Sequence, residues 1–125
     1  MKKEYEILMA KGNSDILFVK KVKNDKKIEK DFLLFHLQQA AEKFIKSLIS
    51  FNGFKFPFTH DIKTLIDLCN KKNIELPDYV SKIIILTPFA IEYRYSFSVK
   101  DIDVAEFYKL VNKLKNYVQK TFKDK

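Results

Sequence analysis

Cysteine, glycine and proline are scarce in this sequence, and each shortage excludes a class of protein. The one cysteine, Cys69, cannot form a disulfide within the chain, which suits a reducing cytosol. With only Gly12 and Gly53, which lie far apart, the chain cannot form a phosphate-binding loop, a dinucleotide fingerprint or a G-x-S-x-G nucleophile turn. Two glycines and three prolines also leave few residues for the tight turns of an all-β domain, so the composition favours helices.

Long apolar runs and metal-ligand patterns are missing as well. No run approaches the roughly 20 apolar residues of a membrane-spanning helix, and the basic N-terminus has no apolar stretch of signal-peptide length. His36 and His60 have no second histidine, cysteine or carboxylate at ligand spacing on the same helix. We therefore expect a cytoplasmic protein with no metal site and no cofactor. We interpret Cys69 as a small core residue, because the sequence places no histidine to activate it.

Positive charge is abundant, but almost none of it comes from arginine. The formal net charge is +8 and the pI is near 9.4, which raises nucleic acid as a partner. All but one of the 24 basic residues are lysines, and the exception is Arg94. Because arginine is the usual residue for phosphate forks and base edges, two alternatives stay open: a lysine-based RNA-binding surface or a solvated surface.

Apolar residues recur at helical spacing along most of the chain, whose 125 residues suit a single domain, 1–125. The pattern predicts helices from Glu4 to about Lys23, Ile28 to about Phe51, Asp61 to about Asn73, Pro77 to about Ile91, and Ser98 to about Phe122. Gly12 is expected to make the first helix irregular, and Pro88 to kink or interrupt the fourth. We therefore predict an all-α fold, an antiparallel up-and-down bundle of four to five helices.

Specific residues mark the ends of the predicted helices. Gly53 is a candidate C-cap for the second helix, because glycine adopts the left-handed conformation there at little cost. Thr59 or Asp61 is a candidate N-cap for the third helix. Ser98 with Asp101 resembles a capping box at the start of the last helix.

The second predicted helix carries polar residues among apolar ones, in the stretch "FHLQQAAEKFIKSLI". Four residues lie within about 60° of one another on a helical wheel, away from the apolar arc: Phe32, His36, Gln39 and Lys43. Gln38 and Glu42 form a second polar edge near Phe35. Three interpretations of this margin stay open: a homodimer or partner surface, a solvated edge, and a pocket for a stacked base.

The same stretch resembles the signature helix of HEPN domains, the higher-eukaryote and prokaryote nucleotide-binding family. The resemblance continues in "THDI" (Thr59 to Ile62), after the glycine-containing loop. It also includes "EYRY" (Glu92 to Tyr95), where the family commonly has E-x-R-Y-P-D, so it covers roughly Ile28 to Tyr95. The resemblance implies a small helical bundle, usually dimeric and often encoded beside a minimal nucleotidyltransferase.

The resemblance also indicates where such a module makes its contacts. The candidate ligand-facing residues are His36, Gln39, Lys43, His60 and Arg94. The candidate dimer or partner surface consists of Phe32, Phe35, His36 and Gln39. For Arg94 the alternative is an ion pair that ties helices together, with Glu92, Glu42 or Asp61.

The sequence departs from the family at its ribonuclease motif. Many HEPN proteins are metal-independent ribonucleases that use an arginine followed four to six residues later by a histidine, with two sites meeting across a dimer. No histidine follows Arg94, so the motif lacks its proton-transfer group. We predict a non-catalytic homodimeric module that binds a nucleotide or a partner such as a minimal nucleotidyltransferase. The alternatives are a toxin-like endoribonuclease, in which His36 or His60 joins Arg94, and an RNA-binding module.

Overall fold

The computed structural model describes residues 2–90 and 101–124, and the regular elements in these ranges are helices. In chain order they are α1 (Glu4–Val22), α2 (Lys30–Phe51), α3 (Ile62–Lys71), a 3₁₀ helix (Asp78–Ala90) and α4 (Val104–Lys123). The described ranges contain no strand, so the predicted all-α bundle of four to five helices is confirmed. None of the helices in these ranges combines the length and the apolarity needed to cross a membrane.

Helix α2 occupies the centre of the bundle. It packs against α1, α3, the 3₁₀ helix and α4. Thirteen of its 22 residues are buried, which is far more than the single apolar stripe of a surface helix provides. Four of the buried residues are polar or charged: Gln38, Glu42, Lys46 and Ser47. The position of α2 therefore forces polar side chains into the interior, where each of them needs a partner.

The ends of α2 and α3 follow from residues that the sequence analysis identified. Gly53 has φ +84°, its N–H donates to the Ser50 carbonyl, and the N–H of Phe54 donates to the Ile49 carbonyl. These two bonds form a Schellman motif, which satisfies the last carbonyls of the helix. Asp61 is the N-cap of α3, and its carboxylate accepts the N–H of Lys63 at 3.1 Å. Both predicted caps are confirmed.

The segment after α3 forms a 3₁₀ helix, although the sequence predicted a kinked helix without naming this type. Its buried residues are Val80, Ile83, Leu86 and Phe89. They recur every three residues, and this period matches the 3.0 residues per turn of a 3₁₀ helix. Pro88 lies inside the element and does not end it. The 3₁₀ form therefore places all four apolar side chains on one face toward the core.

Helix α4 begins later than the proposed capping box. Its N-cap is Asp103, whose carboxylate accepts the N–H of Ala105 at 2.9 Å and lies 3.4 Å from the N–H of Glu106. The capping box drawn from Ser98 and Asp101 is therefore wrong as the start of this helix, and Ser98 itself lies outside the described residues. An aspartate next to the first helical residue satisfies two free N–H groups, which explains the later start.

Gly12 allows α1 and α2 to approach each other closely. Helix α1 continues through Gly12, so the irregularity predicted there is not found. A Cβ atom at Gly12 would lie 2.6 Å from Cε1 and 2.9 Å from Cδ1 of Phe44, a fully buried residue of α2. The Phe44 ring thus occupies the space that a side chain at position 12 would need.

Cys69 belongs to the core, as the sequence analysis predicted. Its side chain is fully buried on α3. Burial raises the pKa of the Cys69 thiol to about 12, so the thiol is protonated at neutral pH. A protonated thiol is a weak nucleophile, and Cys69 contributes apolar packing.

The variant Gly12→Ala tests the close approach of the two helices. Helix propensity alone favours alanine by about 1 kcal/mol, whereas overpacking a core costs about 1–3 kcal/mol. We expect the clash with Phe44 to prevail and the free energy of unfolding, measured by urea denaturation, to fall. Ser14→Ala is the matched control, because Ser14 is exposed on the same helix. A Gly12→Ala variant more stable than the wild type would contradict this account.

Candidate functional site

A first polar cluster lies between α1 and α2. It is centred on Asp15 of α1, and we call it the Asp15 cluster. The Asp15 carboxylate accepts a hydrogen bond from His36 Nδ1 at 3.0 Å and one from Lys43 Nζ at 2.7 Å. Since a carboxylate only accepts, the His36 proton lies on Nδ1. His36 and Lys43 are thus brought together as the wheel predicted, through an aspartate that the sequence analysis did not identify.

Aromatic rings surround His36 in the Asp15 cluster. The ring centroids of Phe18, Phe32 and Phe35 lie 4.7, 4.8 and 5.1 Å from the imidazole centroid. Phe18 and Phe32 also contact each other edge to face, at 5.7 Å and 90°. Phe32 remains 43% exposed, so the aromatic group reaches the surface. The result is a half-buried ion pair with an exposed apolar rim.

The second cluster is centred on the Glu42 carboxylate, and we call it the Glu42 cluster. Lys46 Nζ donates to Oε2 of Glu42 at 2.7 Å, and His60 Nδ1 donates to Oε1 at 2.9 Å. The Gln38 amide donates to the same Oε1 at 3.1 Å and to the His60 carbonyl at 3.0 Å. The cluster therefore ties the loop before α3 to the middle of α2.

Glu42 is charged although it is nearly inaccessible to solvent. Burial by itself raises the pKa of its carboxyl group. The hydrogen bond and positive charge of Lys46, together with the bonds from His60 and Gln38, outweigh burial, so the pKa lies below the ordinary value of 4.5. A buried charge is stable only when it is paired and hydrogen-bonded, and both oxygens of Glu42 meet that condition.

Gln39 joins the two polar edges of α2. Its amide donates to the Gln38 side-chain oxygen at 2.7 Å, so it belongs to the Glu42 cluster although the wheel placed it beside His36. The two histidines have different carboxylate partners, Asp15 for His36 and Glu42 for His60. Arg94 lies outside the described residues.

Among these groups, the loop before α3 is the most accessible. The His60 side chain is 54% exposed, and the neighbouring Phe58 is 91% exposed, with ring centroids 6.4 Å apart. His36 and Lys43 are each only 22% exposed. In the described part of the chain, no three histidine, cysteine or acidic side chains lie close enough to hold a metal ion. The site therefore offers an aromatic surface and oriented imidazoles.

A local signal for Asp15 exists in the sequence. The buried residues Gly12, Ile16 and Val19 mark the face of α1 that points to the core. Asp15 lies three residues after Gly12 and directly beside that face, and residues three or four apart are neighbours on a helix. A carboxylate at the margin of a packing face pairs with a basic residue of the helix opposite, which here is α2.

Comparison with known proteins gives one family match. The model of the HEPN domain family matches residues 5–121, which is nearly the whole chain. No curated protein and no solved structure shows significant similarity to the chain.

The variant Glu42→Gln tests the buried cluster. It leaves the Lys46 ammonium without its counter-charge in the interior, and breaking a buried ion pair costs about 3 kcal/mol. We expect a loss of that order in the free energy of unfolding. Asp67→Asn is the matched control, since Asp67 pairs with Lys63 at the same i,i+4 spacing on an exposed surface and contributes little there. Equal losses in the two variants would contradict the role of burial.

Acid should remove the contribution of Glu42 to stability. Its pKa is lower in the folded chain than the ordinary 4.5, so the stabilisation is complete above that value and is lost as the pH falls through the folded pKa. We expect the difference in unfolding free energy between the wild type and Glu42→Gln to shrink from about pH 5 to about pH 3. A difference that stays constant over this range would show that the carboxylate charge is not involved.

Proposed function

We propose that this chain, which belongs to the HEPN domain family, is a non-catalytic binding module. In this proposal it forms a homodimer and binds a nucleotide or a partner protein such as a minimal nucleotidyltransferase. The dimer contact is the α2 margin, which consists of Phe32, Phe35, His36 and Gln39, and the ligand-facing residue Lys43 lies next to it.

One observation carries the proposal: the polar groups of the α2 margin are neutralised within the chain, and aromatic rings surround them. Asp15 holds both His36 and Lys43, so neither side chain brings an unpaired charge to the surface. Partly exposed Phe32 and half-buried Phe35 lie next to this pair. Aromatic groups with satisfied polar neighbours are typical of the central part of protein interfaces.

The non-catalytic character is supported by how the histidines are used. A ribonuclease of this kind needs an imidazole free to take up and release a proton at the substrate. His36 is enclosed by three rings and bound to Asp15. His60 is bound to a buried glutamate that also holds Lys46. The enclosure of His36 and the lack of a histidine after Arg94 therefore support a non-catalytic module, whereas the bond of His60 engages only its Nδ1.

A nucleotide would find its most accessible aromatic group in the loop before α3. Phe58 and His60 expose ring faces there, and a nucleobase stacks on such faces. Titration of the purified protein with ATP, the other nucleoside triphosphates and a minimal nucleotidyltransferase tests this part of the proposal. Failure to bind any of them would exclude both ligand classes and leave only self-association.

The alternative, a toxin-like endoribonuclease or RNA-binding module, is favoured by the net charge of +8. Expression in a bacterial host distinguishes the endoribonuclease from the non-catalytic module, because a ribonuclease arrests growth. If growth is arrested, His36→Ala or Arg94→Ala should relieve the arrest. A wild type that does not affect growth excludes the toxin. Lysine-based RNA binding should weaken steeply as the salt concentration rises. RNA binding that is insensitive to salt would exclude a lysine-based RNA-binding module.

The variant Phe32→Ala tests the α2 margin as a dimer contact. Truncating a central aromatic residue of an interface costs more than about 1 kcal/mol, so we expect the dimer dissociation constant from sedimentation velocity to rise about tenfold. Ile85→Ala is the matched control, because Ile85 is apolar, 49% exposed and located on the 3₁₀ helix. A monomeric wild type, or equal weakening by both variants, would contradict the assignment.

A further inference from the structure

A groove between α1 and α4 contains two clefts that share Asn13. The smaller cleft, which we call the α1–α4 cleft, has a volume of about 200 Å³. Its polar lining residues are Asn13, Lys20, Tyr108, Asn112 and Lys115, and the lining contains no carboxylate. The second cleft extends from Asn13 toward the start of α1 and has a volume of about 380 Å³. The α1–α4 cleft is thus a concave, basic surface that the α2 margin does not include.

Lys115 differs from the other lysines that are withdrawn from solvent. Five lysines in the described ranges are buried or half-buried. Lys43 and Lys46 pair with carboxylates, Lys23 lies over the Tyr108 ring at 5.5 Å, and Lys30 also has a partner. Lys115 has no hydrogen bond, ion pair or ring contact within the described residues. A half-buried ammonium loses hydration, so an anion at this position stabilises it.

Asn13 supplies a second unsatisfied group in the same cleft. Its side-chain oxygen is the one buried side-chain polar atom in the described part of the chain without a hydrogen-bond partner. A buried acceptor without a partner costs free energy, and a rotation of the Asn13 side chain that brings this oxygen to a donor in the cleft removes the cost. A lysine without a partner and an asparagine with an unsatisfied side-chain oxygen therefore line one cavity, on two different helices.

We propose that the α1–α4 cleft binds a phosphate monoester that carries a hydroxyl group. Lys115 and Lys20 provide two positive charges, which match the nearly dianionic phosphate. The hydroxyl group donates to the Asn13 oxygen once that side chain turns toward the cleft, and the Asn112 amide, which also lines the cleft, donates to the phosphate. A carboxylate would neutralise only one of the two lysines, and an internal phosphodiester carries a single charge. The inference does not rest on the proposed function, because it uses none of the residues of the α2 margin.

The test measures binding of inorganic phosphate and ribose 5-phosphate to the full chain by calorimetry and by side-chain amide shifts in NMR spectra. We expect ribose 5-phosphate to bind more tightly than phosphate and to shift the amide signals of Asn13 and Asn112. Lys115→Gln should weaken binding about tenfold or more, because it removes a charged hydrogen bond. Lys109→Gln is the matched control: Lys109 is exposed on the same helix, lies outside the cleft and changes the net charge equally.

The outcomes decide the proposal and the source of the ligand. Equal weakening by Lys109→Gln and Lys115→Gln, or no shift of the two amides at millimolar ligand, would overturn it. If Lys115→Gln does not fold, Lys20→Gln replaces it, since Lys20 is exposed. A 5′-phosphorylated oligoribonucleotide that binds more tightly than its 5′-hydroxyl form identifies a nucleic-acid end as the source. Binding of ribose 5-phosphate alone identifies a free metabolite, and equal binding of both oligonucleotides without small-molecule binding would reject the site.

Discussion

The packing of α2 against four other helices is the constraint on which the rest of the structure depends. A helix in the centre of a bundle cannot direct all its polar residues to water, so each buried polar group must find a partner. The Glu42 carboxylate meets this requirement with Lys46, His60 and Gln38. The same bonds hold the loop before α3 against α2, and this loop carries exposed Phe58. A requirement of the core thus determines which aromatic ring is presented to solvent.

The approach of α1 to α2 depends on one glycine. The Phe44 ring occupies the space that a Cβ atom at Gly12 would need. One helical turn further along α1, Asp15 is near enough to α2 to accept bonds from His36 and Lys43. The ion pair and the aromatic rings around it therefore depend on the close apolar contact that positions the two backbones. The ion pair between Asp15 and Lys43 is thus coupled to the packing of Gly12 against Phe44, because it requires the two helices to lie this close.

Positive charge is neutralised by a carboxylate on one face of α1 and is not neutralised on the other. On the α2 side, Lys43 is neutralised by Asp15, and the surface that results is aromatic and nearly neutral. On the α4 side, half-buried Lys115 and exposed Lys20 line a cleft without a carboxylate among its lining residues. A neutral aromatic surface suits a protein contact, whereas a cleft with uncompensated cations suits an anion. One helix thus separates two surfaces of different chemistry.

The sequence by itself determined the features that depend on neighbours in the chain. Helical period, Gly53 and Asp61 established the all-α bundle and the ends of two helices, because a helix and its caps are closed by bonds over three to five residues. The sequence also contains the period of three in Val80, Ile83, Leu86 and Phe89, although the pattern predicted a kinked helix without specifying the 3₁₀ form. The stripe that joins His36 to Lys43 could likewise be predicted from helical spacing. Only the tertiary structure decided that Asp15 pairs with this stripe, that Glu42 is buried, and that Lys115 and Asn13 share a cleft. These contacts join residues far apart in the chain, and their geometry depends on how closely whole helices pack.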